Sequence, residues 1–240
     1  MNNNLDIIKK IKSKGYWEIN IHPSEYKEKL ITSRSAVKDV VRNAVIELRG
    51  WDYPHFSDSD GDPKIINNGI EQSINWEKHI EYWRMTQSLN FFHLLGLRED
   101  WLDSLGYKNM WSRSDELKDK KILGVLGALY TIVEIFEFSK RLVKQNLFEG
   151  KLFISMQLHD VDGRQLYVDS YNRIPFSYSR TSNSTKPWIW EKEYEITDIA
   201  NKVEELSIEA FLDLIDLFGW TNPPIDVYKN DIAKFLAGQI

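Results

Sequence analysis

The stretch from Ile122 to Leu147 constrains this chain more than any other. It is apolar around most of a helical circumference, yet Glu134, Glu137, Lys140 and Arg141 interrupt it. Carboxylates are costly at the centre of a bilayer, so the stretch reads as a buried helix rather than a membrane span. A helix apolar on most sides must be covered on several sides. The spacing predicts a helix over 121–147, stopped by Gly150, and the rest of the chain has to wrap it.

Sheet-forming sequence precedes it. YWEINIH (16–22) alternates, with Trp17, Ile19 and Ile21 on one face, and Pro23 either ends this strand or sets it near an edge. IEQSIN, HIEYWRMTQ and NFFHLLGLR read as consecutive antiparallel strands within 70–98, with either a tight connection at Ser88-Leu89-Asn90 or a single long strand through it. Ser33 or Ser35 can cap a helix to about Ala44, and Val45 to Gly50 then reads as a strand. Beyond the central helix, 151–169 predicts a β-hairpin turning at Asp162-Gly163. WIWEKEYEI reads as another strand. Two helices follow, one capped by Ser207 and closed by Gly219, the other ending at Leu236. The expected fold is α+β: a mainly antiparallel sheet, a long buried central helix and C-terminal helices. It is expected as a single domain over 1–240, with an internal seam near 99–120.

Composition narrows function by exclusion. The chain has no cysteine, which removes disulfides, thiol nucleophiles and Cys-ligated zinc. Its net charge of −5 lacks the basic surplus that non-specific nucleic-acid binders use to neutralise phosphate. The N-terminus carries no signal-peptide apolar run, so a cytoplasmic protein without a membrane partner is expected. Nine Trp imply either a thick core or an aromatic-lined groove.

No GxSxG, Walker A, GxGxxG or HExxH pattern occurs. Asp58-Ser59-Asp60-Gly61-Asp62 resembles a calcium loop, but it lacks Gly at the sixth position and Glu at the twelfth, so a solvated turn is the better reading. Gly124-Val125-Leu126-Gly127 reads as close helix packing rather than phosphate binding. Glu134 and Glu137 lie one turn apart, and buried carboxylates of this kind are usually paired, for example with Arg141. Neither a cofactor nor a metal site is expected.

The most distinctive stretch is Leu48-Arg49-Gly50-Trp51-Asp52-Tyr53-Pro54-His55. It presents a fork-shaped cation, flat stacking surfaces, an acceptor and an imidazole together, which is the mix found at recognition sites. The bland alternative is an Arg49–Asp52 ion pair with Trp51 and Tyr53 in the core. A second cluster is Trp83, Arg84, Gln87, Ser88 and His93. Alternation sends Trp83, Met85 and Gln87 to one face and Tyr82, Arg84 and Thr86 to the other. If either face lies beside Arg49 and Trp51, an Arg/aromatic groove results, suited to a nucleobase with phosphate or to a partner protein's loop. His93 by itself reads as a core or interface histidine.

LRGWDYPHF and HIEYWRMTQSLNFFHLLGLREDW resemble a bacterial protein family of unassigned activity marked by an RGWDYP-type motif. GYWEINIHP, IVEIFEFSKRL and DGRQL belong to the same pattern, so the resemblance spans about residues 15–170. It implies a module found beside Schlafen-type Alba-like domains linked to nucleic-acid binding, or alone near mobile and defence genes. The family pattern carries Gly-Gln after the Ser of the strand connection, where this chain has Leu89-Asn90.

These readings lead to a non-enzymatic recognition or regulatory module, in a bacterial antiviral setting. Its ligand is a partner protein or a nucleotide or nucleic acid, and its site residues are Arg49, Trp51, Asp52, Tyr53, His55, Trp83, Arg84, Gln87 and His93. The first alternative is a metal-dependent hydrolase of nucleotides or nucleic acid using Asp52, His55, Asp58, Asp60, His93 and Glu134. The second is a structural, oligomer-forming protein.

Overall fold

The computed structural model describes residues 3–56, 62–76, 78–101 and 120–239. The Asp-rich loop at 57–61, Trp111 and nearly all of the expected seam lie outside the described residues. The elements run α1 (Asn3–Ile11), β1 (Tyr16–Pro23), α2 (Arg34–Ala44), β2 (Lys64–Ile66), β3 (Gly69–Trp76), β4 (His79–Thr86) and β5 (Phe91–Gly96). A 3-10 turn (Arg98–Trp101), β6 (Ile122–Gly124), α3 (Val125–Val143), β7 (Lys151–His159), β8 (Gln165–Tyr167) and β9 (Trp188–Glu195) follow. The chain closes with α4 (Ile196–Asn201), α5 (Val203–Asp216) and α6 (Ile225–Leu236).

Seven strands form one sheet in the order β2-β3-β4-β5-β1-β7-β9, and every neighbouring pair is antiparallel. The fold is α+β. The alternation of β1 puts Trp17, Ile19 and Ile21 on one face, all buried. That face shares a core with α3, whose residues are buried on nearly every side, among them Leu129, Ile132, Val133, Phe136 and Phe138. α2, α4, α5 and α6 pack around α3 and supply the cover that its composition demands. On the opposite face, α1 lays Ile7 and Ile11 over Ile80, Tyr82 and Leu94. Among the described residues, no helix is long and apolar enough to cross a membrane.

Of the two readings of the strand connection at Ser88, the structure has the tight turn. The Thr86 amide donates to the Asn90 carbonyl and the Leu89 amide to the Thr86 carbonyl, both at 3.0 Å, with Leu89 at φ 59°. Leu89 is fully buried, so the apolar side chain that sits poorly in a turn is offset by burial in the core.

Four expectations fail for identifiable reasons. Val45–Gly50 is not a strand: only Ile46 bridges to Tyr53. The Val45 amide is taken by Val41, its carbonyl accepts from the Arg141 guanidinium, and Gly50 turns the chain at φ 78°. The hairpin at 151–169 does not form. Both edges of β7 are occupied, by β1 and β9, so β8 pairs in parallel with β6 although Gly163 does turn at φ 68°. The central helix starts at Val125 rather than 121, because Ile122–Gly124 is that β6 strand. Ser207 caps nothing: it is fully buried inside α5, which the chain enters by way of α4. Gly219, at φ 70°, does close that helix region.

Candidate functional site

A cavity of about 740 Å³ opens where the 46–53 turn, the ends of β1, β3 and β5, and the first turns of α3 meet. That volume lies within the range of small-ligand sites. The turn contributes Arg49, Trp51, Asp52, Tyr53 and His55 to its wall. The five-residue part of the sequence signature is therefore gathered on one surface.

Two anchors hold the turn in place. The first is Arg49, whose Nε donates to Glu134 Oε1 at 2.9 Å, while Nη2 bonds Glu134 Oε2 and reaches Thr131 Oγ1 at 3.3 Å. Glu134 is fully buried and belongs to α3. Burial pushes its carboxyl above the ordinary range, and the Arg49 charge pulls against that. Arg49 thus pairs with Glu134, not Asp52, and Arg141 pairs with Glu137 instead. The second anchor is Glu81 of β4, 1% exposed. Its Oε1 accepts the His55 amide at 2.7 Å and its Oε2 lies 3.1 Å from His93 Nε2. His79 Nε2 stands 3.5 Å away, an ion-pair distance. Burial by itself would raise the Glu81 carboxyl, but His79 and His93 outweigh it and hold the group well below the ordinary range.

Stacking surfaces line the cavity. Trp17 and Trp76 join Trp51 in its wall. The His55 ring sits 4.7 Å from Trp76 and 5.5 Å from His79, and Trp51 lies 5.9 Å from His79. The Arg49 and Arg98 guanidinium carbons stand 5.9 and 5.5 Å from the Trp51 ring centroid. Arg98 is exposed and has no ion-pair partner among the described residues. Two polar groups in the wall have no hydrogen-bond partner among the described residues: both ring nitrogens of His55, 8% exposed, and the Tyr53 hydroxyl, 2% exposed.

The far wall is acidic. Glu99 Oε1 accepts the Gly124 amide at 2.9 Å, and Asp169 accepts the Leu126 and Gly127 amides at 2.7 and 2.8 Å. These carboxylates close the N-terminus of α3, where free N–H groups and the helix dipole favour negative charge. A side chain at Gly124 would put its Cβ 2.4 Å from Asp169 Oδ2 and 2.9 Å from Glu99 Oε1, so glycine is required there. Burial raises both carboxyls; the Gly124 amide opposes this at Glu99, and the Leu126 and Gly127 amides oppose it at Asp169.

The second expected cluster is elsewhere. Trp83 is fully buried, stacked on Phe56 at 5.8 Å, with Nε1 donating to the His55 carbonyl at 2.8 Å. Gln87 is buried and donates to the Ile31 and Thr32 carbonyls at 3.0 and 3.1 Å. His93, fully buried, is held by Glu81 beneath the turn. Arg84 is exposed on the opposite sheet face, 5.3 Å over Phe92. The groove expected from that cluster is closed by packing on one face and remote on the other. Conversely, Trp76, His79, Arg98, Glu99 and Asp169 escaped sequence reading. Arg98-Glu99, directly after an aromatic strand, was the available signal. Among the described residues, no group of three or more His, Asp or Glu could hold a metal ion, so the hydrolase candidates are not gathered into a metal set. Asp58 and Asp60 lie outside the described residues.

No family model matches the chain, and no curated protein or solved structure matches it either.

Proposed function

We propose that the chain is a non-enzymatic recognition module that binds a nucleotide-type ligand in this cavity. The observation that carries the reading is a ligand-sized cavity with Trp51 in its wall and Arg98 over that ring, exposed and without an acidic partner among the described residues. A nucleobase needs a flat partner, and base–aromatic stacking contributes about 1–3 kcal/mol. A phosphate needs an unneutralised guanidinium, and Arg98 can leave the ring to meet it. The cavity volume suits a mononucleotide rather than a strand. A regulatory role in an antiviral system, implied by the sequence resemblance, would use that binding as its signal.

Isothermal titration calorimetry of the native chain with nucleoside monophosphates tests the reading. Saturable binding that Trp51→Ala weakens supports it. Saturable binding that is equal in the folded Trp51→Ala variant places the ligand elsewhere.

A further inference from the structure

We infer that Glu99 and Asp169 read the vicinal hydroxyls of the ligand's sugar, so that the cavity prefers a ribonucleotide to its 2′-deoxy counterpart. This rests on the nucleotide reading above.

The acidic wall decides how such a ligand must lie. Helix N-termini commonly receive phosphate. Here the Gly124, Leu126 and Gly127 amides already donate to Glu99 and Asp169. The two carboxylates also repel a phosphate brought to that wall. The anionic end of a ligand is therefore directed to Arg98, and its donor-rich part to the carboxylates.

What the carboxylates can accept follows from their geometry. Both converge on Gly124: Asp169 Oδ2 and Glu99 Oε1 lie 2.4 and 2.9 Å from the position that a Cβ would take there. Each carboxylate oxygen has two acceptor positions, and an amide occupies only one on each of Glu99 Oε1, Asp169 Oδ1 and Asp169 Oδ2. Adjacent acceptors fit adjacent hydroxyls. Acidic side chains serve the ribose 2′-hydroxyl in the same way at dinucleotide sites.

An independent observation also points to a polar ligand. His55 is 8% exposed, lines the cavity, and has no partner at either ring nitrogen among the described residues. The Tyr53 hydroxyl, 2% exposed in the same wall, has none either. Buried polar groups are nearly always bonded, so these orphans mark a place where a partner is missing.

The test is calorimetry with the four ribonucleoside 5′-monophosphates, each beside its 2′-deoxy counterpart, with inorganic phosphate as a control. One lost charge-assisted hydrogen bond corresponds to about a tenfold change in affinity. The native chain should bind at least one ribonucleotide about tenfold more tightly than its deoxy form. Of Glu99→Gln and Asp169→Asn, the one that removes the acceptor of the 2′-hydroxyl should bring that ratio towards one, and the one that removes the acceptor of the 3′-hydroxyl should weaken ribo and deoxy forms alike. Circular dichroism verifies the fold of each variant. Glu99→Gln disturbs a single helix amide and decides the matter if Asp169→Asn unfolds. If neither variant folds, the ratio measured on the native chain decides it. Equal affinity for ribo and deoxy forms overturns the inference and leaves the nucleotide reading standing. Affinities and ratio unchanged in the folded variants assign the carboxylates to helix capping alone and overturn the inference. No binding of any nucleotide overturns both.

Discussion

The Arg49 and Arg98 guanidinium groups lie at similar distances from the Trp51 ring, 5.9 and 5.5 Å, yet they belong to opposite kinds of structure. Arg49 comes from the 46–53 turn and is forked onto the fully buried Glu134. Arg98 comes from the segment after β5, is exposed, and meets no carboxylate among the described residues. One arginine is consumed in fixing the wall and the other remains available at it. Residue type therefore says little about role until the counter-charge is located. A neutralised guanidinium positions its neighbours; an unneutralised one beside a cavity can bind an anion.

The largest effect that would break this contrast is at the fixed arginine. Glu134→Ala leaves Arg49 half-buried without its partner and should cost about 3 kcal/mol or more in urea unfolding. A loss below about 0.5 kcal/mol, the range of ordinary surface changes, would show that the pair is not an anchor. Glu81→Gln removes the second anchor and should cost about 2 kcal/mol, the scale of a hydrogen bond to a charged group. Its sign with pH is fixed. The Glu81 carboxyl is held below its ordinary value of 4.5, so its contribution is full above about pH 4.5 and is lost as pH falls through the folded value. Glu81→Gln should flatten the acid limb of a stability–pH profile, and an unchanged limb would refute the assignment.

The free arginine should behave differently. Arg98→Gln should weaken nucleoside monophosphate binding about tenfold, leave the corresponding nucleoside unaffected, and leave the melting curve unchanged. An equal loss for nucleoside and nucleotide would mean that Arg98 acts on the ring rather than on an anion. The smallest expected effect is at Arg84, on the far sheet face. Arg84→Ala should stay within about 0.5 kcal/mol in stability and leave ligand affinity unchanged. A clear loss of binding there would move the site to the other side of the sheet.

The antiparallel sheet and the buried helix were legible because alternation and all-round apolarity are local patterns. Trp17, Ile19 and Ile21 face one way wherever the strand is placed. The failures came where a competing partner was distant in sequence. β8 could not be separated from a hairpin without knowing that β1 and β9 take both edges of β7. The site was half legible for the same reason. Arg49 to His55 are contiguous, so a turn brings them together. Glu99 and Asp169 meet only because both accept amides from one helix end. Trp83, Gln87 and His93 carry recognition-type chemistry, but the bonds to His55, Ile31, Thr32 and Glu81 that occupy them are long-range.

The proposal that Trp51 and the cavity around it hold a nucleotide underlies every prediction for Arg98, Glu99 and Asp169. Its most direct measurement is a calorimetric titration of the native chain and of Trp51→Ala with nucleoside monophosphates. Trp51 is only half-buried, so the variant should keep its fold. Saturable one-to-one binding to the native chain is expected, weakened about tenfold to a hundredfold by the substitution, the equivalent of one lost stacked base. A native chain that shows no saturable binding, or a folded variant that binds as tightly, would contradict it.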